Sequence, residues 1–353
     1  MTTIRDVARA AGVSIATVSR VFNGNPRVGE DTALRVWDAA GELDYWPNGA
    51  ARSLTTSRTQ TLGVLLPDLY GDFFSEVIRG IDQAARRAHF QILLSSSHAD
   101  PIEIVAAARA MRGRVDGLII MASDRGTAEA VLGFLGRQPL VFLNPYLDPD
   151  GCSAVSIDNR AGGRSAVEHL IALGHRVIAT VRGPEGNIDA EERLGGYRDA
   201  LAGAGLSASP QLELPGDFTE TAGFRAVSGL LAAVPRPTAV FAANDAMAAG
   251  LLGGLRDAGV AVPGEMAVVG FDDIGVARCL TPPLTSVRVD VCELGRRAVQ
   301  LLLETVGPDG PAPCRREVLP ARLVLRESCG CRSRTELPVL ARGAGDSGER
   351  DRI

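Results

Sequence analysis

The sequence contains no lysine, and all 37 of its basic residues are arginine. A phosphate-binding loop of the Gly-Lys-Ser/Thr type therefore cannot be present, and a lysine Schiff base is excluded as well. The formal net charge is −5 at pH 7, so the chain as a whole is not a polycation. Any contact with nucleic acid has to come from a local surface rather than from the overall charge.

Long apolar runs and the dense cysteine spacing of a small disulfide scaffold are also absent. No apolar run approaches the roughly eighteen residues of a membrane span, and the first ten residues, MTTIRDVARA, lack the apolar region of a signal peptide. The scattered cysteines are expected to be reduced thiols rather than a disulfide framework. They are Cys152, Cys279, Cys292, Cys314, Cys329 and Cys331. These features predict a cytoplasmic protein without a membrane partner.

Signatures of catalysis and metal binding are scarce. No Gly-X-Ser-X-Gly elbow is present, so an enzyme would have to use Asp272 and Asp273 as acid and base. The formal dinucleotide fingerprint GAGDSG follows no predicted strand and is a false match. Cys329 and Cys331 form a single Cys-X-Cys pair, a weak indication of metal or redox function. His169 and His175 lie on either side of a predicted helix end, and we expect them to cap the helix. We therefore expect no enzymatic activity, no cofactor and no metal.

Residues 1–46 have a helical rhythm and no predicted strand. The apolar positions of the first helix are Ile4, Val7, Ala8 and Ala11, which follow the i, i+3, i+4, i+7 spacing. Ser14 is expected to cap a second helix from Ile15 to about Phe22. A third helix is predicted from about Glu30 to Leu43. Leu34, Trp37 and Ala40 of this helix are expected to face inward.

From Thr61 the pattern changes to apolar strands that alternate with amphipathic helices. The strands lie in TLGVLLPDL, FQILLSSS, VDGLIIMAS, PLVFLNP, RVIATVRGP, TAVFAAND and MAVVGFDD. Such strands predict parallel sheets covered on both faces, and their number predicts two doubly wound subdomains over residues 61–326. Ligands of these sheets bind beyond the carboxyl ends of the strands. The polar residues at those ends are Asp68, Asn144, Asn244, Asp245, Asp272 and Asp273.

Two segments lack this regularity. Residues 47–60 form a hinge and linker, in which Asn48 to about Thr55 allow only about two helical turns, too few to persist alone in water. We expect this hinge to be disordered on its own. Residues 327–353 are polar and rich in glycine, and are predicted to form a disordered tail.

The second helix has two distinct faces. Val18, Val21 and Phe22 cluster on one arc of a helical wheel, whereas Ala16 and Arg20 lie on the opposite arc. Two helices joined by a glycine-containing turn are typical of a helix-turn-helix, whose second helix enters the major groove of DNA. The pattern alone leaves an ordinary helical hairpin open as an alternative.

Several motifs resemble the lactose-repressor/galactose-repressor (LacI/GalR) family of transcription regulators. In the head they are TIRDVARAAGVSIATVSRVFNG, VGEDTALRVWDAAGELDYWPN and AARSL. In the body they are HLIALGHRVIATVRGP, ERLGGYRDAL, FAANDAMAAGLL and VVGFDD. The motifs follow the family's order from Thr3 to about Glu327, so the resemblance is specific. It implies an all-α helix-turn-helix head, a hinge helix, and an α/β core like that of the periplasmic binding proteins.

The resemblance implies a set of DNA contacts. The residues implied to read base edges are Ile15, Ala16 and Arg20, of which the arginine suits the two acceptors of guanine. Those implied to hold phosphates are Thr17, Ser19 and Asn23. The set is completed by Ser14, Tyr45, Asn48, Ala51 and Leu54, with the leucine wedged into the central base step. A structural role stays open for Ile15, which lies at the border of the buried arc.

The implied DNA partner is a double-stranded, pseudo-palindromic operator with a central CpG step, bound by a homodimer. The tail has no leucines at heptad spacing, so a tetramerising helix is not expected. Without the family pattern, Leu54 would be interpreted as a linker residue. Gly29 stands where the family commonly has serine, so a helix cap is lost and a somewhat lower operator affinity is expected.

The resemblance also implies an effector site. Its implied contacts are Arg193, Asn244 and Asp272, a set that can hold the vicinal hydroxyls of a sugar. Further implied contacts are the candidate stacking aromatics Phe73 and Phe74, and Asn144, Asp189 and Phe218 at variable positions. The alternatives are a surface ion pair of Arg193 with Glu191 or Glu192, capping by Asn244 or Asp272, and core packing of the two phenylalanines.

The predicted function is a repressor of carbohydrate-utilisation genes, whose operator affinity is switched by a small sugar-like effector. These residues do not specify whether the effector induces or corepresses. The alternatives are a sugar-binding protein or a carbohydrate-acting enzyme without a DNA role. A binding protein fits the body but does not explain residues 1–58.

Overall fold

The computed structural model describes residues 2–22, 25–46, 58–134, 138–146, 151–306 and 313–331. The first two ranges contain three helices, α1 (Ile4–Ala10), α2 (Ile15–Phe22) and α3 (Glu30–Glu42). These helices enclose a core of their own. Its buried members are Val7, Ala8, Ala11, Val18, Val21, Val36, Ala39 and Ala40. The helical head predicted from the sequence is therefore confirmed.

Helix α3 buries a different face from the predicted one. Ala40 is buried as expected, but Leu34 is 61% exposed and Trp37 is 49% exposed. The buried face is centred between Val36 and Ala40, so Leu34 points to the opposite side of the helix. Trp37 lies at the border of this face, where its ring meets Phe22 edge-on with the ring centroids 4.9 Å apart.

The rest of the described chain contains two six-stranded sheets. The strands of the first sheet are β1 (Thr61–Leu66), β2 (Gln91–Ser96), β3 (Gly117–Met121), β4 (Leu140–Leu143), β5 (Ser153–Ile157) and β11 (Arg316–Leu319). Those of the second are β6 (Ile178–Val181), β7 (Glu213–Leu214), β8 (Ala239–Ala242), β9 (Ala267–Asp272), β10 (Thr285–Arg288) and β12 (Arg322–Val324).

The two sheets have matching strand orders, β11-β5-β4-β3-β1-β2 and β12-β10-β9-β8-β6-β7. Neighbouring strands are parallel, except that β12 runs antiparallel to β10. The interior strands β3, β4, β8 and β9 are buried along their whole length. This burial explains their uninterrupted apolar sequences, since helices cover both faces of a parallel sheet.

Helices flank both sheets. They are α4 (Asp72–Arg87), α5 (Pro101–Met111), α6 (Arg125–Phe134), α7 (Asn159–Ala172), α8 (Ile188–Gly203), α9 (Glu220–Ala232), α10 (Asp245–Asp257) and α11 (Val291–Val306). Helices α4 and α11 pack together beside the first sheet. The pairs α7–α8 and α9–α10 pack beside the second sheet. The two doubly wound subdomains predicted from the sequence are thereby confirmed.

Within the described residues, the chain crosses between the subdomains three times. The crossings lie between β5 and α7, between β10 and α11, and between β11 and β12. The Asp158 N–H donates to the Leu319 carbonyl at 3.0 Å, which ties the first crossing to the third. The Ile188 N–H donates to the Ser123 carbonyl at 2.8 Å, which joins the two subdomains directly. The carboxyl ends of both sheets therefore face a common cleft.

The predicted boundary between core and tail is wrong for residues 327–331. Ser328 and Cys329 are buried against the second sheet. The Ser328 hydroxyl donates to the Val268 carbonyl at 2.6 Å and accepts the Thr285 N–H at 2.8 Å. Through these two hydrogen bonds, the small Ser328 side chain holds the segment against the second sheet, so residues 327–331 belong to the core and not to the polar tail.

Residues 47–57 and 332–353 lie outside the described residues. The predictions of a hinge helix and of a disordered tail fall largely on these segments. In the described part of the chain, no helix is both long and apolar enough to cross a membrane.

Candidate functional site

Helix α2 presents a small and mostly neutral surface to solvent. Ile15 is 45% exposed, and Ala16 and Arg20 are exposed as well, whereas Val18 and Val21 are buried. Ile15 is therefore not a core residue of the head. The short side chains around a single arginine allow close approach to another surface, as reading of a DNA groove requires.

The start of α2 is fixed by Ser14. Its hydroxyl accepts the Thr17 N–H at 3.1 Å and lies 2.9 Å from the Thr17 hydroxyl, so the predicted N-cap is confirmed. Ser19 is half-buried on the same helix. Tyr45, also half-buried, stacks on Phe22 with the ring centroids 5.9 Å apart. The other predicted DNA contacts lie outside the described residues, and they are Asn23, Asn48, Ala51 and Leu54.

A buried arginine dominates the cleft of the core. Arg193 on α8 is 3% exposed, and each of its three guanidinium nitrogens faces an acceptor. Nε donates to Asn159 Oδ1 at 2.8 Å, and Nη1 donates to the Ala243 carbonyl at 2.6 Å. Nη2 lies 3.1 Å from Asp272 Oδ1. The surface ion pair with Glu191 or Glu192 is therefore not formed.

Close packing of α7 against α8 brings these side chains together. A side chain at Gly163 would lie 2.5 Å from the Arg193 carbonyl oxygen, and one at Gly196 would lie 2.2 Å from the Arg160 carbonyl oxygen. Both distances are too short for any Cβ, so the glycine pairs in NRAGG and RLGGY permit this approach. As a result, Asn159 at the start of α7 reaches Arg193 directly.

Asn159 continues the polar network to Asp189 and to the first subdomain. The Asn159 amide donates to Asp189 Oδ1 at 2.8 Å, and the Asn144 amide donates to Asp189 Oδ2 at 3.3 Å. Asn144 is held in turn, because its Oδ1 accepts the Ile157 N–H at 3.0 Å. Burial raises the pKa of Asp189, while Arg193 and the two asparagines oppose the shift. The network therefore spans the cleft from β4 to α8.

Asp272, at the end of β9, is the second charged group of the site. It is 6% exposed, and burial raises the pKa of its carboxyl from 3.8 to about 6 despite the neighbouring Arg193. Its Oδ1 is within ion-pair distance of Arg193 Nη2 but is not aligned for a hydrogen bond. Among the described residues, this buried oxygen has no hydrogen-bond donor. Arg193 offsets the charge of this oxygen, and a ligand that donates a hydrogen bond to it would reduce the remaining cost of its burial.

Aromatic rings enclose the guanidinium. The Phe271 ring centroid lies 3.8 Å from Arg193 Cζ, and the Phe218 centroid lies 5.7 Å from it. Asn244 Oδ1 accepts the Met247 N–H at 2.9 Å, which confirms the capping alternative for this residue. Its Nδ2 donates to the Phe218 carbonyl at 3.0 Å. Asn244 thus positions Phe218 and the start of α10.

Backbone strain is also present in the cleft. Asn144, Phe218 and Asp272 all have positive φ angles, of 41°, 69° and 97°. Residues other than glycine rarely adopt this conformation, and it is typical of ligand sites that the surrounding structure holds in place. Asp245 fixes the loop after β9, since its carboxylate accepts from the Ser286 hydroxyl at 2.5 Å and from the Ile274 N–H at 2.9 Å.

A cavity of about 370 Å³ opens beside the network. Asn144, Asn159 and Asp189 line it, together with Tyr146, but Arg193 and Asp272 do not. The cavity and Asp272 Oδ1 are therefore different parts of the cleft. We assign the effector chemistry to the Arg193–Asp272 ion pair, because both side chains are buried and Asp272 Oδ1 accepts no hydrogen bond from the described part of the chain.

Phe73 and Phe74 were predicted to stack on a ligand. In the described part of the chain, neither ring contacts Arg193. They pack edge to face with their ring centroids 5.4 Å apart, against the apolar core between the subdomains. Arg193 also contacts Asn159 and Phe271, which were not among the predicted site residues. The rule that polar residues follow parallel strands also applies to β5, and it would have identified Asn159.

Comparisons with known proteins agree with this architecture. The family described as "Bacterial regulatory proteins, lacI family" matches residues 3–48, and the family described as "Periplasmic binding protein-like domain" matches residues 167–329. The chain is 37% identical over 329 residues to the HTH-type transcriptional regulator GalR of Escherichia coli (strain K12), covering 93% of this chain and 96% of that protein. The chain belongs to the LacI family. It is therefore a transcriptional regulator with a helix-turn-helix DNA-binding domain, and not an enzyme.

Solved structures of LacI-family proteins share the fold. A lac repressor dimer bound to operator and the anti-inducer ONPF superposes with a TM-score of 0.83 at 32% identity, covering 93% of this chain and 99% of that one. A complex of the transcriptional regulator CelR with cellobiose gives a TM-score of 0.71 at 35% identity, covering 93% of this chain and 100% of that one.

Proposed function

We propose that this chain is a cytoplasmic repressor of carbohydrate-utilisation genes, and that a small sugar-like effector controls its affinity for an operator. Residues 1–46 form the DNA-binding domain, residues 47–60 form the hinge and linker, and the core begins at residue 61. The core takes up the effector and forms a homodimer. The match of a DNA-binding family to residues 3–48 supports the first boundary.

The effector role rests on Asp272 Oδ1, which forms an ion pair with Arg193 but accepts no hydrogen bond from the residues that the structure describes. A sugar hydroxyl that donates to Asp272 Oδ1 supplies the missing hydrogen bond in a buried place. Asp189, Asn144 and Asn159 offer further acceptors and donors nearby. CelR has the same fold and its solved structure is a complex with the sugar cellobiose, which supports this class of effector. Paired polar groups among aromatic rings are typical of such sites.

The DNA role rests on the exposed face of α2. Ile15, Ala16 and Arg20 are the proposed base-reading residues, and Thr17 and Ser19 the proposed phosphate contacts. Ser14 and Tyr45 hold α2 in place. Two copies of this head, related by a dimer axis, fit a pseudo-palindromic operator with a central CpG step, which Leu54 of each chain opens. The lac repressor structure, a dimer on its operator, supports this arrangement.

Selection of bound DNA from a random pool, with and without a panel of sugars, tests the proposal. The full-length protein is expected to enrich a pseudo-palindrome with a central CpG, and one sugar is expected to change its retention on that DNA. Arg20→Ala should lose the enrichment, whereas Arg87→Ala, at an exposed arginine of α4, should keep it.

Three results would count against the proposal. Enrichment of asymmetric sequences would rule out a pseudo-palindromic operator bound by a dimer. Enrichment by Arg20→Ala equal to that by the wild type would rule out a base-reading role for Arg20. A protein that binds a sugar but enriches no DNA would be a sugar-binding protein without a regulatory role.

A further inference from the structure

Three side chains of the types that bind metal ions lie close together where the end of the core packs against α7. His169 Nε2 lies 3.3 Å from Cys329 Sγ, and Cys329 Sγ lies 3.0 Å from Cys331 Sγ. All three ligand atoms lie within 4.8 Å of one another. His169 was expected to cap its helix, but its ring nitrogen faces a thiol instead. This group shares no residue with the effector network.

The surrounding structure holds the two cysteines in place. Cys329 is 1% exposed, and the neighbouring Ser328 is bonded to strands β9 and β10 as described above. Gly330 between the cysteines has a φ of 82°, which turns the chain so that both thiols point the same way. His169 comes from α7, a separate element. Ligands from a turn and a helix are therefore brought together before any ion binds.

A hydrogen bond orients the buried sulfur. The Thr285 hydroxyl accepts the Arg326 N–H at 2.8 Å and donates to Cys329 Sγ at 3.1 Å. A sulfur that accepts a hydrogen bond in this way is suited to act as a thiolate ligand. Outer partners of this kind are common around metal ligands. The Arg326 carbonyl oxygen lies 3.5 Å from Cys329 Sγ and 3.3 Å from Cys331 Sγ.

The distances suit a tetrahedral ion after a small adjustment. Zn–S bonds of about 2.3 Å and Zn–N bonds of about 2.0 Å require sulfur atoms about 3.8 Å apart and a sulfur–nitrogen distance of about 3.5 Å. The distance of 3.3 Å between His169 Nε2 and Cys329 Sγ is close to this value, and Cys331 Sγ lies within 4.8 Å of His169 Nε2. The two sulfurs must separate by about 0.8 Å, and Cys331 is the less buried of the two cysteines.

We propose that Cys329, Cys331 and His169 bind one thiophilic divalent cation of the Zn²⁺ class. Two thiolates and one imidazole select such an ion, whereas Mg²⁺ and Ca²⁺ prefer oxygen ligands. The Arg326 carbonyl or a water molecule completes the coordination. The bound ion fastens residues 325–331 to α7, the helix that begins at Asn159 in the effector network.

Cobalt binding to the full-length, reduced and chelator-treated protein tests the site. We expect one equivalent of Co²⁺ per chain, with the visible absorption of a tetrahedral sulfur–nitrogen site, and displacement of the cobalt by Zn²⁺. Cys331→Ser and His169→Gln should each weaken binding at least about tenfold. Cys279→Ser and Cys314→Ser are matched controls, because these thiols are exposed, and they should bind as the wild type does.

A second measurement needs no variant. Zn²⁺ should protect Cys331 of the wild type from alkylation and leave Cys279 and Cys314 reactive. Absence of a tetrahedral cobalt spectrum, or equal loss of binding in the control variants, overturns the proposal. A Cys329–Cys331 disulfide in protein purified without reductant, combined with no cobalt binding by the reduced form, also overturns it and assigns the pair to thiol–disulfide chemistry.

Discussion

Arg193 is almost fully buried, and its guanidinium is surrounded by suitable partners. A carboxylate, an amide oxygen and a backbone carbonyl face its nitrogens, and the Phe271 ring lies against its plane. A buried charge without such partners costs several kcal/mol. Removing Arg193 leaves Asp272 as an uncompensated charge, so Arg193→Ala combines loss of effector response with loss of stability.

Asp272→Asn separates these effects, since asparagine keeps the shape of the side chain and removes its charge. We expect normal operator binding and an effector affinity reduced at least about tenfold, because a hydrogen bond to a charged group contributes about 1.5–3 kcal/mol. Gel shift with an effector titration measures both quantities. Asp257→Asn changes an exposed carboxylate of α10 and should match the wild type. Release of Asp272→Asn from DNA at the wild-type effector concentration contradicts the assignment.

The same carboxyl predicts a dependence of stability on pH. Burial raises the pKa of Asp272 from 3.8 to about 6 in the folded chain, so the folded state binds a proton more tightly than the unfolded state does. The resulting stabilisation is fully present below about pH 4 and is lost as the pH rises through about 6, by on the order of 3 kcal/mol. The difference in unfolding free energy between wild type and Asp272→Asn, from urea titrations between pH 4 and 7, should fall accordingly. A difference that does not change with pH would contradict the shift.

Residues of the cleft could be predicted only in part. Asn144, Asp189, Arg193 and Asp272 were predicted site residues and belong to the network, and all of them except Asp189 lie in a quoted motif or directly after a strand. The partner of each was not predictable. Asn144, for example, meets Asp189 of the other subdomain, although the two residues are 45 positions apart in sequence. Phe271 was hidden among the apolar residues of β9, where a ring that covers a guanidinium has the same pattern as a core residue.

At the scale of elements, the ends of helices were easier to predict than their buried faces. Ser14 caps α2 as its sequence indicates, whereas Leu34 and Trp37 of α3 are exposed. A cap depends on a bond within four residues, and local sequence is sufficient for it. A buried face depends on which neighbours the helix meets, and in this small bundle Val36, Ala39 and Ala40 make the contact instead of the larger Leu34 and Trp37.

Gly29 begins α3 without a side-chain cap. Its φ of −62° suits any residue, and no atom lies within 4 Å of the position that a Cβ would take. Gly29→Ser should therefore raise the free energy of unfolding by about 0.3 kcal/mol, since serine exceeds glycine as an N-cap by a few tenths. Gly12→Ser is the control, because a φ of 65° makes serine unfavourable there by about 1–2 kcal/mol. Thermal melts of both variants should shift in opposite directions, and shifts in the same direction would contradict the capping argument.

At the scale of the whole molecule, the three crossings connect the effector site to the relative position of the subdomains. The Asp272 carbonyl accepts the Val289 N–H at 3.4 Å, where the chain leaves β10 for α11. A ligand held by Asp272 therefore acts beside a segment that must bend when the cleft opens or closes. Hinge closure around a ligand is a common route to a switch between two states.

Leu54→Ala tests whether DNA affinity and effector binding are separable in the complete protein. Burying a leucine side chain contributes about 1.5–3 kcal/mol, so loss of the proposed wedge should weaken operator binding about ten- to one-hundredfold. Effector affinity by calorimetry should stay unchanged, because the effector network lies wholly in the core. Ser53→Ala is the neighbouring control for the gel shift. Unchanged operator affinity of Leu54→Ala would refute the wedge.

The three crossings also govern how the core can be made. Neither subdomain is a continuous stretch of chain, because β11 completes the first sheet and β12 completes the second, and both lie within residues 316–324. During synthesis from the N-terminus, each half therefore lacks an edge strand until nearly the entire core has left the ribosome. A truncation before Arg316 removes a strand from both halves at once, so premature termination near the end of this chain damages the whole core.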